Sequence, residues 1–290
     1  MSDFLVGSLP FQYLGCPIFQ GKPKCVHFQP IVDRIKVKLA TWKGVLLSIM
    51  GRVQLVKSIV HGMLVYSFHI YRWPIRLLKI LDRWIKKFIW SGDINTCKIC
   101  TVSWKNVCLP WDSGGLDLKS TRSLNASMLL HLSWNLFTQD SQCSQLFKHR
   151  FLSFGRPRNS YFKSSIWLGV KEFLQFVFEN SISIVGNGEK INLWLDNWLG
   201  APIVSILDAP PNMFPLLTTR LQSIIENGKW QNVPSILHYP SVAESMLKFR
   251  FLSRLWWTSW FGFMLLMAFS WLNWPFFILT LLHPSLSALH

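Results

Sequence analysis

The amino-acid sequence predicts a mostly α-helical protein, in which a basic helical bundle is followed by an α-rich connection with one β-hairpin. Apolar residues recur at intervals of three and four along several segments, as they do on one face of an amphipathic helix. Sixteen basic residues and only three acidic ones lie between Gly21 and Lys105, so the predicted bundle is strongly cationic. Half of the 290 residues are hydrophobic, which argues against a disordered chain.

The bundle begins with a helix that Gln29-Pro30 is predicted to open and that continues to Lys43. The residues spaced for its apolar face are Ile31, Ile35, Leu39 and Trp42. Arg34 and Lys38 lie one turn apart on a different side of this helix, since residues four apart are neighbours on a helix surface.

The second predicted helix runs from Ile49 to about Phe68. Ser48 is its predicted N-cap, because a serine hydroxyl accepts hydrogen bonds from first-turn amides. The residues spaced for burial are Val53, Val56, Val60 and Leu64. Arg52 and Lys57 flank that stripe and are predicted to belong to the cationic outer surface of the bundle.

The third and most clearly patterned helix runs from Pro74 to Trp90, between a proline suited to a first turn and the stop signal Ser91-Gly92-Asp93. Its apolar and basic positions fall on opposite faces: Leu78, Leu81, Ile85 and Phe88 on one, and Arg76, Lys79, Arg83 and Lys87 on the other. The basic face suits either plain solvation or contact with a polyanion such as nucleic acid.

The connection is predicted to hold two further helices and one strand pair. Gly114-Gly115 is a turn signal, and Ser123 is the predicted cap of an almost wholly apolar helix that spans 124–137. A second helix is predicted over 165–179. Alternating apolar residues around a Gly-Asn-Gly turn predict a β-hairpin near 181–195.

Four regions follow from these patterns. Residues 1–110 form the basic helical region and residues 111–200 the α-rich connection. Residues 201–250 are a proline-rich linker with one short helix around Leu221–Ile225. Residues 251–290 are an apolar tail with an uncharged stretch of 28 residues at 255–282. This stretch is long enough to span a membrane, and the two alternatives are a buried helix and out-of-frame sequence.

The cysteines and the N-terminus indicate an intracellular protein. Six irregularly spaced cysteines do not form the pattern of a disulfide scaffold. The first residues lack a basic segment before their apolar run, so we predict no signal peptide. The nucleus is one candidate compartment for a nucleic-acid binder, and a membrane is the alternative location.

Residues suited to catalysis are sparse. A polymerase needs carboxylates that converge on divalent metal ions, and this chain has no adjacent pair of acidic residues. Asp196 lies between tryptophans and is predicted to be structural. We therefore predict no catalytic residue. His61 and His69 are predicted to be ordinary packing or surface residues.

A zinc site is incomplete in the sequence. Cys97, Cys100 and Cys108 have part of the spacing of zinc ligands, and His131 is the nearest fourth ligand. A single C-x-x-C pair does not define a tetrahedral site, so we predict no metal site and treat these cysteines as buried or surface thiols.

Several blocks of the sequence resemble plant LINE-type (non-LTR) retrotransposon reverse transcriptases. The blocks are FQYLGCPIFQGKPK, DRIKVKLATWKGVLLSIMGRVQLVKSIV, WIKKFIWSGD, VSWKNVCLPWDSGGLDLKS, LNASMLLHLSWNLF, KSSIWLGV and SIVGNGEKINLWLDNWLG. They occur in the order of that family and cover roughly residues 11–245. The resemblance places the chain after the polymerase palm, in the thumb and the connection that precedes the zinc-binding region. The family has no counterpart of the apolar tail, which favours the out-of-frame interpretation.

The resemblance implies that the thumb-like bundle contacts a template–primer duplex. The basic residues predicted to contact the nucleic-acid backbone are Arg34, Lys38, Lys43, Arg52, Lys57, Arg76, Lys79, Arg83 and Lys87. The parent enzyme is an RNA-directed DNA polymerase that would use magnesium, but its palm aspartates have no counterpart in this chain, so we predict no cofactor and no enzymatic activity.

The predicted function is sequence-independent binding of RNA or an RNA–DNA duplex by a fragment that lacks the catalytic palm. The missing palm domain is the other predicted partner. Two alternatives remain: a membrane-anchored protein with a basic domain and a C-terminal transmembrane helix, and a non-functional pseudogene product.

Overall fold

A computed structural model provides the structure of the chain. It describes residues 8–42, 44–96, 98, 102–153, 156–158, 160, 162–183, 185, 188–226, 229–230 and 242. Within these residues the chain divides into two compact units. The first unit comprises 8–135 and 160–173, and the second comprises 136–158 and 174–242. The predicted division of the chain at residues 110, 200 and 250 stays a prediction.

The structure confirms the predicted mostly helical fold class. The helices are α1 (Cys25–Thr41), α2 (Ile49–Leu55), α3 (His61–Ile70), α4 (Ile75–Ser91), α5 (Trp104–Val107), α6 (Thr121–Thr138), α7 (Gln142–Phe151), α8 (Trp167–Asn180) and α9 (Ile203–Ile206). A π-helical segment, Val56–Val60, makes α2 and α3 continuous, and short 3-10 turns occupy Gly44–Leu46, Trp111–Ser113, Pro211–Leu216 and Leu221–Ile224.

The strands of the described residues form three short antiparallel pairs. They are β1 (Phe11–Tyr13) with β2 (Cys16–Ile18), β3 (Leu152–Ser153) with β4 (Arg156–Pro157), and β5 (Ile225–Glu226) with β6 (Lys229–Trp230). Leu14 and Gly15 join β1 to β2 with φ values of +50° and +78°, the positive values that a two-residue type I′ turn requires.

The helix α4 forms as its sequence pattern predicts. Pro74 precedes it, and Gly92 ends it in the left-handed conformation with φ +77°. The four predicted apolar positions, Leu78, Leu81, Ile85 and Phe88, are all buried.

The first helix begins earlier than predicted. It starts at Cys25, so Pro30 lies inside α1 and does not open it. Phe28 is fully buried and stacks on Trp73 with ring centroids 4.5 Å apart. This aromatic packing holds the turn before Pro30 in the helix, although a proline inside a helix removes one backbone hydrogen bond.

The second predicted helix is also confirmed. The Ser48 hydroxyl accepts a hydrogen bond from the Gly51 amide at 3.2 Å, as expected of an N-cap. The predicted core positions Val53, Val56, Val60 and Leu64 are buried. Together with the buried faces of α1 and α4 they form the core of the first unit.

The buried helix α6 begins two residues before its predicted cap. The Ser120 hydroxyl accepts a hydrogen bond from the Ser123 amide at 3.1 Å and therefore takes the capping role that we predicted for Ser123. The fully buried Thr121 explains the earlier start, because its hydroxyl donates to the Leu78 carbonyl at 3.1 Å and ties the first turn of α6 to α4.

The predicted β-hairpin near 181–195 is wrong for the described residues of that stretch. Asn192 Oδ1 accepts hydrogen bonds from the amides of Trp194 and Leu195 at 2.9 and 3.0 Å, which curls this segment into a turn. Its backbone pairs with a later segment, through an isolated bridge between Asn192 and Arg220. The side chain of Asn192 thus satisfies amides that a strand would offer to a neighbour.

The second unit is built around Trp198, which is almost fully buried. Its indole nitrogen donates to the Leu193 carbonyl at 2.9 Å, and its core neighbours include Ile203 and Leu221. The predicted short helix near Leu221–Ile225 is present as a 3-10 turn. No helix in the described part of the chain is long and apolar enough to span a membrane. The predicted apolar tail at 251–290 lies outside the described residues.

Candidate nucleic-acid interface

The basic face of α4 is open to solvent. Arg76, Lys79 and Arg83 are exposed and Lys87 is half-buried. The basic residues and the apolar residues of α4 each recur at intervals of three and four, and the two sets are offset by about half a turn. The basic face therefore lies opposite the buried apolar stripe. The four cations that the sequence placed on one side of α4 therefore share one surface.

The helices α1 and α4 lie side by side and run in the same direction. The Lys36 ammonium lies 5.8 Å from the centre of the Trp84 ring. Further along, the rings of Trp42 and Phe88 are 5.6 Å apart. The second contact lies closer than the first to the C-terminal end of both helices, so the two helices are parallel.

Lys36 joins the basic face of α4 through this pairing. Its ammonium is held over the face of Trp84, where the ring's negative potential attracts a cation. Sequence reasoning did not select Lys36, because its neighbour Trp84 is 48 positions away along the chain. We name the resulting surface the cationic seam, and its members are Lys36, Arg76, Lys79, Arg83 and Lys87.

Asp33 of α1 and Asp82 of α4 are the acidic residues on the two helices of the seam, and among the described residues no ion pair joins either of them to a seam cation. No Asp or Glu occurs between Asp33 and Asp82. Asp82 lies on α4 itself but is directed to α6, where its carboxylate accepts a hydrogen bond from the Thr121 amide at 2.9 Å. Burial raises the pKa of Asp82, and the hydrogen bonds from Thr121 oppose that rise. Asp82 therefore acts as an anchor for α6 and not as a counter-ion of the seam.

Arg52 was predicted to contact phosphate, and the structure places it in the core instead. It is only 8% exposed. Its guanidinium donates to the carbonyl oxygens of Gly44 at 2.7 Å and Ile89 at 2.8 Å. A buried charge needs hydrogen-bond partners, and these two carbonyl oxygens accept hydrogen bonds from the Arg52 guanidinium within the core.

The other predicted basic residues are distributed over several places. Lys57 forms a partly buried ion pair with Asp117, with Nζ and Oδ2 3.0 Å apart. Arg34 donates to the Gln12 side chain at 3.2 Å, beside β1. Lys38 is exposed in the last turn of α1, and Lys43 lies outside the described residues.

Arg34 also lines an open groove with a volume of about 380 Å³. The turn residue Leu14, together with Met63 and Tyr66 of α3, forms much of the remaining wall. Leu14 and Tyr66 are 78% and 70% exposed, so this groove is wide open to solvent. Arg34 and the seam residue Lys36 are two positions apart on α1, so about 200° of helical rotation separates Arg34 from the cationic seam.

Of the three candidate zinc-ligand cysteines, Cys108 lies among the described residues. Cys97 and Cys100 lie outside the described residues. Burial, followed by the nearby Asp82 carboxylate, raises the pKa of Cys108 to about 12, so its thiol is protonated at neutral pH. Among the described residues no three His, Cys, Asp or Glu side chains come together to form a metal-binding group.

The histidines and Asp196 occupy structural positions. His61 is buried, and His69 lies next to His131 with ring centroids 5.2 Å apart. Burial lowers the pKa of all three histidines. The Asp196 carboxylate accepts a hydrogen bond from the Asn192 amide at 2.7 Å, in agreement with its predicted structural role.

Comparison with known proteins finds a distant similarity. No protein-family model matches the chain. Over 198 residues, or 66% of its length, the chain is 26% identical to an Arabidopsis thaliana protein named "Putative ribonuclease H protein". The chain spans about a third of that protein, since the match covers 32% of the longer sequence.

Proposed function

We propose that this chain is the thumb-like region and connection of a retroelement protein of the non-LTR reverse transcriptase type, and that it binds the backbone of RNA or an RNA–DNA duplex without catalysis. The cationic seam is the observation that carries the proposal. Five cations from two packed helices form one surface, in a segment of the chain that has sixteen basic residues and three acidic ones. Such a surface attracts phosphates irrespective of base sequence.

The dimensions of the seam suit a nucleic-acid strand. Arg76 and Lys87 are eleven residues apart on α4, which corresponds to about 16 Å along the helix axis. One strand of a duplex carries a phosphate for roughly every 3.4 Å of its axis, so a duplex along α4 presents several phosphates to the seam. Lys36 and Trp84 widen this surface toward α1.

The distant relative supports the same class of function. Its name refers to ribonuclease H, and an activity of that kind acts on nucleic acid. Because the similarity covers a third of that protein, nucleic-acid binding is the part of its function that we propose for this chain.

Salt dependence of binding tests the proposal. Fluorescence anisotropy of a labelled 20-base-pair RNA–DNA hybrid is measured with the full chain over a series of salt concentrations. The logarithm of the affinity is expected to fall linearly with the logarithm of the salt concentration. Arg83→Gln and Lys79→Gln are each expected to make this slope shallower by about 0.9, since each removes one phosphate contact.

Lys57→Gln is the matched control. It removes the same charge, but Lys57 is paired with Asp117 and is not part of the seam. Its salt slope is expected to equal that of the unmodified chain. Equal losses in all three variants would mean that net charge alone attracts the hybrid, and a chain with no salt-sensitive binding would refute the proposal.

Absence of catalysis is tested on the same preparation. The chain is supplied with an annealed DNA primer on an RNA template, deoxynucleotides and magnesium, which the parent polymerase would use. We expect the primer to be bound and left unextended. Extension above the level of a heat-denatured sample would overturn the non-catalytic part of the proposal.

A further inference from the structure

The strand pair β3–β4 follows directly on the end of α7 and places a serine opposite an arginine. Ser153 of β3 pairs with Arg156 of β4 in the antiparallel register. Residues that lie opposite each other in such a pair have their Cβ atoms about 4.5 to 5.5 Å apart on the same face. The exposed Ser153 hydroxyl and the Arg156 side chain therefore start from one face of the strand pair.

Two further arginines lie at the same place. Arg158 is two residues beyond Arg156, so an extended strand returns its side chain to the same face, about 6.6 Å along the strand. The Arg158 amide donates to the Phe151 carbonyl at 2.9 Å, which continues the register to the last residue of α7. The Arg150 guanidinium lies 5.4 Å from the centre of the Phe151 ring. We name Arg150, Arg156, Arg158 and the Ser153 hydroxyl the arginine cluster.

Aromatic side chains hold the Arg156 guanidinium in place. Its central carbon lies 5.3 Å from the centre of the Phe178 ring on α8, and 5.1 Å from that of Phe214 in the 3-10 turn Pro211–Leu216. Both rings are buried, and one N–H of Arg156 donates to the Ser205 hydroxyl on α9 at 3.4 Å. Three other elements thus position this half-buried guanidinium in advance, which lowers the entropy lost when a ligand binds.

Arg158 is anchored at the end of α7. Its Nε donates to the Leu152 carbonyl at 2.8 Å, and a terminal nitrogen donates to the His149 carbonyl at 3.4 Å. A cation is favourable at the C-terminal end of a helix, where the helix dipole is negative. A guanidinium has further N–H donors beyond those that these carbonyls engage, so Arg158 can still bind a ligand.

The arginines of the cluster have no acidic partner in the described part of the chain. The ion pairs of the second unit there join Asp140 to Lys148 and to Lys190. Glu179 of α8 and Asp208 after α9 are the acidic residues nearest in sequence to the side chains that hold the central guanidinium. Neither of them forms an ion pair with an arginine of the cluster. The positive charge of the cluster is therefore available to an external anion.

The compact arrangement favours a doubly charged anion. The cations of the seam form a line along α4, which suits successive phosphodiesters. The arginine cluster instead brings three guanidinium groups to one strand pair. A phosphate monoester carries a charge of about −1.5 to −2 at neutral pH and several strong acceptor oxygens. The planar fork of a guanidinium matches these oxygens in a bidentate geometry.

We infer that the arginine cluster binds a phosphate monoester, with Arg156 as the pre-positioned central contact and the Ser153 hydroxyl as a further donor. A group of this kind ends both a free nucleotide and a 5′-phosphorylated nucleic-acid strand. The cluster belongs to the second unit and shares no residue with the cationic seam, so this site goes beyond the proposed binding of a nucleic-acid backbone.

Recognition of a 5′ phosphate tests this inference in the full chain. Fluorescence anisotropy compares a short single-stranded RNA, labelled at its 3′ end, with and without a 5′ phosphate. The phosphorylated strand is expected to bind about tenfold more tightly, because charge-assisted hydrogen bonds are the strong ones. An excess of AMP that removes this preference identifies the free nucleotide as a ligand, and a preference that AMP leaves intact identifies the strand end. Either result upholds the site and names the carrier of the phosphate.

Arg156→Lys and Arg158→Gln are the test variants. Arg156→Lys keeps the positive charge but loses the bidentate fork, so it is expected to lose most of the preference for the 5′ phosphate. Arg158→Gln, at an exposed position, gives an independent test in case the half-buried Arg156 position does not tolerate substitution. Arg122→Gln on α6 is the matched control, since it removes one exposed arginine outside the cluster and is expected to keep the preference. Circular dichroism confirms that each variant retains the fold.

The outcomes separate this inference from the proposed function. Equal binding of the phosphorylated and unphosphorylated strands by the unmodified chain would overturn the inference and leave salt-dependent binding of the RNA–DNA hybrid untouched. Equal losses in Arg122→Gln and Arg158→Gln would show that net charge alone attracts the phosphate, and would also overturn it. A 5′-phosphate preference in a chain that binds the hybrid without salt dependence would uphold the inference and refute the proposed function.

Discussion

The guanidinium of Arg52 donates a hydrogen bond of 2.8 Å to the carbonyl oxygen of Ile89. Ile89 is in the last turn of α4, where backbone carbonyls have no partner within the helix. A positive charge is favourable at that end of a helix, because the helix dipole is negative there. Arg52 is therefore a buried cap of α4 that also fixes Gly44, and it links three segments of the first unit.

Arg52→Leu is expected to lower the free energy of unfolding by about 3 kcal/mol, since it removes two charge-assisted hydrogen bonds, one of them to the helix-end carbonyl of Ile89. Urea-induced unfolding followed by circular dichroism measures this change. Arg122→Leu, at an exposed position of α6, is the matched control and is expected to stay within about 0.5 kcal/mol. An Arg52 variant of unchanged stability would contradict the capping role.

Gly44→Ala is expected to destabilise the chain by about 1 to 3 kcal/mol, because its Cβ would overlap backbone atoms of the neighbouring helix end. Gly62→Ala provides the opposite comparison within α3. Apart from its chain neighbours and the nearby backbone of its own helix, no described atom lies within 4 Å of a Cβ at Gly62, so alanine there is expected to stabilise the helix by about 0.5 to 1 kcal/mol. Thermal unfolding of both variants measures these changes, and equal shifts in Tm would contradict the close approach at Gly44.

Asn125→Ala is expected to cost about 3 kcal/mol of unfolding free energy. The Asn125 amide group donates to the carbonyls of Phe68 and Tyr71 at 3.1 and 2.9 Å, and its oxygen accepts from the Trp73 amide at 3.1 Å. These bonds tie α6 to the end of α3, and their loss leaves buried backbone groups unpaired. Urea unfolding measures the change. Asn95→Ala at an exposed position is the control, and a similar cost there would refute the special role of Asn125.

His61 is expected to make the chain sensitive to acid. Burial, followed by repulsion from Lys57, lowers the pKa of His61 from 6.5 to about 4. The unfolded chain therefore binds a proton more readily than the folded chain between these values, so the stability from His61 is complete above pH 6.5 and is lost as the pH falls to about 4. The loss amounts to about 3 kcal/mol.

The pH dependence of urea unfolding in His61→Leu tests this expectation. The variant is expected to lose less stability than the unmodified chain between pH 6.5 and pH 4. His149→Gln, at an exposed position, serves as the control and is expected to keep the acid sensitivity of the unmodified chain. Identical pH profiles for His61→Leu and the unmodified chain would show that folding does not lower the pKa of His61.

The sequence predicted the elements whose signals are local. The bounds of α4 followed from Pro74 at its start and Gly92 at its end, and its helical form followed from apolar residues spaced so that they share one face. The cap at Ser48 followed from a side chain that bonds an amide three residues away. Such features depend on neighbours within one or two turns, and these neighbours are fixed by the order of residues.

Local signals misled where distant contacts compete with them. Pro30 predicts the opening of a helix, but α1 begins five residues earlier, where Phe28 packs on Trp73. The alternation of apolar residues near residue 192 indicated a β-hairpin. In the structure the Asn192 side chain accepts hydrogen bonds from amides of its own segment, and the backbone of Asn192 pairs with that of Arg220. The competing partners are too far along the chain for a periodic pattern to show them.

The candidate interface shows the same division. The sequence by itself determined that α4 is amphipathic with one basic face, because helical geometry fixes which residues share a side. Only the tertiary structure decided which cations remain available. When the helices pack, Arg52 becomes buried and binds two backbone carbonyls, and Lys36 comes to lie over the Trp84 ring. Burial and pairing of this kind depend on residues that meet only in the packed structure.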